Sequence, residues 1–250
     1  DEFDLNKRTG IDLPNEVISW TPSREFKRKM QPWDPEWRDI DTVYASFGQV
    51  YDFITPISLL RAVAAVAVEG KLFTPHLLKR VREVGEPGDD HYHPAKDYGD
   101  PLARAIPVAT EHREAVVGAM WSVVNDAGTA TGIQKAGYDI AGKTGTAQVV
   151  GLGKDIGRNK DHSWFVTYAP AYKPEIAMVA LIENSGFGGS HAAPAIRGVY
   201  DVYYRKTRHE EPPGTAVKQI AKQETTPAPG KPAAKAKPMA AAQQTAVANQ

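Results

Sequence analysis

Lys143, Thr144, Gly145 and Thr146 set an ammonium, two hydroxyls and a bare stretch of backbone inside the otherwise apolar run Tyr138 to Val150, YDIAGKTGTAQVV. An unpaired ammonium is costly to bury, so the expected placement is an edge strand that turns the lysine toward a cleft. Side chains alternate along a strand, which puts Lys143 and Gly145 on one face and Thr144 and Thr146 on the other. Gly145 leaves space where another group can approach the backbone. Such an edge offers positive charge, hydroxyl donors and free N–H groups to an anionic, carbonyl-bearing ligand.

Two motifs overlap on these residues. Gly137 to Thr144 reads G-Y-D-I-A-G-K-T and satisfies the phosphate-binding pattern G-x-x-x-x-G-K-[ST]. That loop works only between an apolar strand and a helix whose N-terminus faces the phosphate. The residues before it, TATGIQKA, are polar, and Gly145 to Val150 continue as strand, so a nucleotide site is not expected.

The other motif is K-T-G, here extended to K-T-G-T-A-Q. Around it stand SFGQVYDFITP (Ser46 to Pro56), DHSWFVTYAP (Asp161 to Pro170) and PEIAMVALIEN (Pro174 to Asn184). In this order the segments resemble class B penicillin-binding proteins, most closely the penicillin-binding protein 2 group of cell elongation, over about Gly10 to Tyr204. The resemblance implies an α/β (α+β) fold of the penicillin-binding transpeptidase and serine β-lactamase kind, an antiparallel sheet covered by helices. Residues 1–207 would be its C-terminal portion, with the N-terminal part missing.

The implied activity is D,D-transpeptidation of peptidoglycan through a serine acyl-enzyme, with β-lactams as mimics of the D-Ala-D-Ala donor and no cofactor or metal. No serine here is followed by lysine at the third position or by asparagine at the second. Ser23, in S-R-E-F-K, comes nearest. The S-x-x-K nucleophile and S-x-N motifs are therefore expected before Asp1, and the fragment alone is expected to be inactive. By resemblance, Lys143 and Thr146 are the catalytic residues of this portion, and Thr144, Gly145, Thr146 and His162 bind substrate. The Thr146 N–H is assigned to the oxyanion hole. Because alternation turns both threonines away from Lys143, a twist, a bulge or one averted hydroxyl must reconcile the set. Trp164 reads as a core aromatic. Two positions depart from the family pattern, Val50 where glycine is usual and Phe187 where histidine is common. The implied partners are stem peptides, a glycosyltransferase and the elongation complex, at the extracytoplasmic face of the inner membrane through an anchor helix outside this chain. A non-catalytic module that senses or scaffolds peptidoglycan is the alternative.

Composition agrees with a globular domain and excludes other classes. The 250 residues are 42% hydrophobic with net charge zero, so no basic surface argues for nucleic acid. Cysteine is absent, which rules out disulfides and thiolate metal sites. The apolar run Ile57 to Val68 is too short to span a bilayer.

The elements that must position the site follow from periodicity. Thr55 to Gly70 reads as a core helix capped by Thr55, with Leu59, Leu60, Val63, Ala64 and Val66 as its apolar positions. Glu111 to Ala127 is a second helix, capped by Thr110, with Val116, Val117, Met120, Trp121 and Val124 facing inward. Tyr138 to Val150, Ser163 to Ala169 and Glu175 to Glu183 are successive antiparallel strands, the last apolar on both faces and so covered by helices on both sides. Pro194 to Lys206 is one such helix, with Ile196, Val199, Tyr200 and Tyr203 inward, and the loop Gly186 to Ser190 is expected near the cleft. Trp20 to Trp37, basic and proline-rich, reads as a solvated loop. Gly85 to Asp100 is an exposed loop in which His91, His93, Asp89, Asp90 and Asp97 are weak metal candidates. Residues 208–250, rich in Pro, Ala and Lys, read as a disordered tail.

Overall fold

The computed structural model describes residues 2–78, 80–82, 94–97, 102–149 and 159–208. Its centre is an antiparallel sheet in the order β5-β6-β7, formed by Ala141–Ala147, His162–Ala169 and Ile176–Ile182. The three expected strands are present in the expected antiparallel arrangement. β5 starts later than its sequence suggests because Asp139 adopts φ 47°, which breaks the extended backbone.

Strand alternation assigns the two faces. Ser163, Phe165, Thr167 and Ala169 of β6 face α5 (Ala192–Arg208), where the Tyr200 and Thr167 hydroxyls lie 3.0 Å apart and Ile196, Tyr200 and Tyr204 are buried. Tyr168, on the opposite face, packs on Ala67 of α3 (Pro56–Ala67) and Val117 of α4 (Thr110–Asn125). Helices thus cover both sides, as expected for apolar strands. Val199 departs from its expected inward position and is half exposed.

Thr55 caps α3 as expected, its Oγ1 accepting from the Ser58 N–H. The buried positions are not the expected leucines and valines but Ser58, Ala62 and Ala65 on one side and Ala67 on the other. Small side chains let the helix approach its neighbours closely, and the larger residues flank that contact only partly buried. Gly70, at φ 80°, follows the helix end, and a Cβ there would lie 2.1 Å from the Ile106 carbonyl oxygen. In α4 the cap is Ala109, without a side-chain bond, and Thr110 is already helical. Val116 is exposed, whereas Val117 and Val124 are buried.

Four short strands are also described. β1 (Lys71–Phe73) pairs with β4 (Leu102–Ala105), and β2 (Arg80–Arg82) with β3 (Pro94–Asp97). The polar stretch read as a loop therefore contains a strand. His91, His93, Asp89 and Asp90 lie outside the described residues, as does the tail from residue 209. Among the described residues no group of three or more His, Cys, Asp or Glu could hold a metal, and no helix is long and apolar enough to cross a membrane.

The basic Trp20 to Trp37 stretch is not a solvated loop throughout. It holds α1 (Arg24–Met30), capped by Ser23, whose Oγ accepts from the Phe26 N–H. Lys27 is buried, with its ammonium 2.5 Å from Asp41 Oδ2 of α2 (Asp39–Ser46). Asp41 also accepts from the Tyr51 hydroxyl at 2.6 Å and the Arg38 N–H at 2.7 Å. A lysine in a basic loop looks solvated in sequence because its acid partner lies fourteen residues away. Just before Tyr51, Val50 adopts φ 67°, where a β-branched side chain crowds its own backbone.

Two outcomes are expected. The bond from Lys27, with those from Tyr51 and Arg38, lowers the Asp41 pKa from 3.8 to about 2. A pKa depressed by folding contributes stability above pH 3.8 that is lost as pH falls toward about 2. Asp41→Asn should lower the melting temperature at pH 7 and flatten the acid limb of a stability-versus-pH curve in that window. Val50→Gly should raise stability by about 1 kcal/mol in chemical denaturation, since the left-handed conformation costs non-glycine residues roughly that much.

Candidate active site

β5 is an edge strand, and the register against β6 is continuous from Ala141↔Tyr168 to Ala147↔His162. Lys143 and Gly145 therefore share the face of Val166 and Trp164, while Thr144 and Thr146 share that of Phe165 and Ser163. There is no bulge to reconcile them. The Thr144 hydroxyl turns away and lies 2.7 Å from the Thr129 hydroxyl.

The backbone supplies what the side chains do not. The Lys143 ammonium donates to the Thr144 carbonyl at 2.8 Å, and Gln49 Nε2 donates to the Thr146 carbonyl at 3.0 Å. Both carbonyls thus point away from β6. In an antiparallel strand the N–H and C=O of one residue point the same way, so the Thr144 and Thr146 N–H groups also face the open edge. Lys143 is exposed there.

A cleft of about 350 Å³ lies along this edge. One wall is Lys143 to Ala147 with Trp164 and Val166, and the other is Phe47, Gly48, Gln49, Asp52, Ile54 and Leu59. The Gln49 bond ties the two walls together across 97 positions of sequence. Asp52 brings a carboxylate whose Oδ2 is sealed from solvent, and burial raises its pKa above the ordinary carboxylate value.

Of the expected site residues, Lys143, Thr144, Gly145 and Thr146 line the cleft, and His162 does not. His162 opens β6, where its Nδ1 accepts the Asn184 N–H at 3.0 Å. Gly145 makes room for Trp164, since a Cβ there would lie 3.2 Å from the Trp164 Cβ. Trp164, read as a core aromatic, is instead part of the cleft wall. The loop Gly186 to Ser190 crosses the opposite face, where the Ser163 hydroxyl donates to the Phe187 carbonyl and Gly189 approaches Thr144. Asp52, inside the SFGQVYDFITP segment, and Thr129 escaped the sequence reading because neither is set apart by local pattern, and only folding brings Asp52 to the cleft and Thr129 to Thr144.

Comparison with known proteins agrees with this arrangement. The model of the penicillin binding protein transpeptidase domain matches residues 1–201. The peptidoglycan D,D-transpeptidase MrdA of Haemophilus influenzae is 35% identical over 215 residues, which are 81% of this chain and 31% of that protein. The crystal structure of Pseudomonas aeruginosa PBP2 in complex with WCK 5153 superposes with a TM-score of 0.63 at 34% identity, covering 81% of this chain and 42% of that one. Helicobacter pylori PBP2, in its complex with MreC, gives a TM-score of 0.63 at 26% identity, covering 81% and 34%. The chain spans about a third of the length of the curated relatives it matches. Because the domain model takes in the edge strand, both walls of the cleft and the sheet behind them, the chain belongs to the penicillin-binding protein transpeptidase family.

Proposed function

We propose that this chain is the substrate-binding portion of a peptidoglycan D,D-transpeptidase of cell elongation. The observation that carries the reading is the open edge of β5, where the Lys143 ammonium and the Thr144 and Thr146 N–H groups face one cleft. An acyl donor needs a cationic environment for its terminal carboxylate and N–H donors where negative charge develops on the scissile carbonyl. In this reading Lys143 supplies the positive potential and orients proton transfer, and the Thr146 N–H is one oxyanion donor. The Thr144 N–H pairs with the donor backbone across the strand edge, and Gly145 keeps the cleft floor low. Thr144's hydroxyl, engaged with Thr129, takes no part.

The nucleophile is proposed to be a serine of an S-x-x-K motif in a longer protein, attacking the penultimate D-Ala carbonyl. Its oxygen forms an ester as the C–N bond to the terminal D-Ala breaks and the leaving amine takes a proton. A neighbouring stem peptide's amine then resolves the ester. The 33–35% identity to transpeptidases named MrdA supports this activity. Partners are proposed by likeness. The Helicobacter pylori relative forms a complex with MreC, and another neighbour, 27% identical, belongs to a peptidoglycan synthase complex that coordinates polymerization and crosslinking. The extracytoplasmic face of the inner membrane is the matching location, since the polymer to be cross-linked lies there.

Two measurements check the reading. Fluorescent penicillin should label the full-length protein, and Lys143→Ala should slow acylation by about 100-fold, the scale of removing one preorganised electrostatic contact. A full-length protein that never labels would leave a non-catalytic peptidoglycan-binding module as the better account. The 250-residue chain by itself, which contains no S-x-x-K, should not label.

A further inference from the structure

Asp52 is the only acidic side chain lining the cleft among the described residues, and Lys143 is the only basic one. Its Oδ2 is shut off from solvent and has no hydrogen-bond partner among the described residues, and Asp52 forms part of the cleft wall. The surrounding wall is largely apolar, with Phe47, Ile54 and Leu59. The Lys143 ammonium donates to the Thr144 carbonyl, and burial, not a neighbouring charge, is what acts on the Asp52 carboxyl.

Other acids tied into the fold are treated differently. Asp41 is held by Lys27, Tyr51 and the Arg38 N–H, and Asp201 by Lys135, Tyr138 and Arg197. Those carboxylates hold elements together. Among the described residues Asp52 caps no helix and closes no ion pair, although dehydrating a carboxylate without a partner is unfavourable. A carboxylate with no bonding partner among the described residues, set in the wall of a binding cleft, is completed by a cation brought by a ligand.

Resting on the transpeptidase reading above, we propose that Asp52 is the acceptor subsite, its carboxylate binding the primary ammonium of the incoming stem peptide. A transpeptidase has two substrates of opposite character. The donor presents a carboxylate, which suits the Lys143 wall, and the acceptor presents an alkylammonium at neutral pH. The two charged residues of the cleft match this pair. The proton balance closes within the site. The ammonium N–H bond breaks as the Asp52 carboxylate takes the proton, the neutral amine forms a C–N bond to the acyl carbon, and the ester C–O bond breaks. The amine's surplus proton goes to the departing serine oxygen. Burial, which makes Asp52 a better proton acceptor than an ordinary carboxylate, favours the first transfer.

The test uses the full-length protein acylated by a D-Ala-D-Ala peptide, with glycinamide as an ammonium-bearing acceptor, methanol as a neutral acceptor, and water. Asp52→Asn should lower the aminolysis-to-hydrolysis ratio by about tenfold, the loss expected for one charge-assisted contact, with the effect in the KM for glycinamide. The methanolysis-to-hydrolysis ratio should not move, and Asp52→Glu should restore part of the aminolysis. An unchanged aminolysis ratio in Asp52→Asn overturns the subsite. So does a parallel fall with both acceptors, or a loss of penicillin labelling in step with aminolysis, since either marks a structural role. If the unmutated protein neither labels nor turns over the donor, the transpeptidase reading itself has failed and the subsite falls with it.

Discussion

The unbroken register of β5 against β6 decides where every group of the cleft points. Seven consecutive pairs without a bulge fix the parity of the strand, sending the Lys143 side chain to one face and the Thr144 and Thr146 side chains to the other. The same parity turns the Thr144 and Thr146 peptide groups to the open edge. A slip of one residue would exchange the faces and bury the ammonium against α5. The rest of the molecule can be understood as holding that register. Phe165, Ala169, Ile196, Tyr200 and Tyr204 pack one face, while Ala67, Val117, Ala141 and Tyr168 pack the other.

The second wall of the cleft depends on a different kind of force. Residues 47–54 form no helix or strand of their own, and they are anchored by polar contacts. Tyr51 is buried and donates to Asp41, which in turn holds the buried Lys27. Two residues before Tyr51, Gln49 reaches across to the Thr146 carbonyl, and between them Val50 takes up a left-handed conformation. The buried charge pair fixes the base of the loop, so its tip can be held against the strand despite unfavourable backbone geometry. A cleft with one wall of regular sheet and one of strained loop places backbone donors rigidly on the former and presents side chains from the latter.

What could be read from the chain alone was the local pattern. The K-T-G strand, its antiparallel neighbours, the helix capped by Thr55 and the failure of the phosphate-loop pattern all rest on residues close in sequence, where alternation, capping and turn chemistry act. Even the conflict between Lys143 and the threonines was visible there, because strand parity is a local property. Within helices the choice of buried face was less legible. α3 buries alanines instead of leucines and valines, since closeness of approach is set by what lies opposite.

The site's remaining features belong to tertiary structure. Lys27 looked solvated until its carboxylate partner arrived from the next helix, and Trp164 looked like core until its neighbour across the sheet proved to be a glycine at the cleft. His162 stood beside the motif in sequence order yet turned to cap the chain at Asn184. Asp52 stood unremarked inside a family-like segment and gained its meaning from burial beside an apolar wall. Sequence determined the family, the chemical groups of the edge strand and the side of the strand on which each stands, because covalent alternation fixes these. Only the fold decided which groups share a cleft and which charges are compensated, because burial and pairing are set by residues that meet only after the chain has closed over long loops.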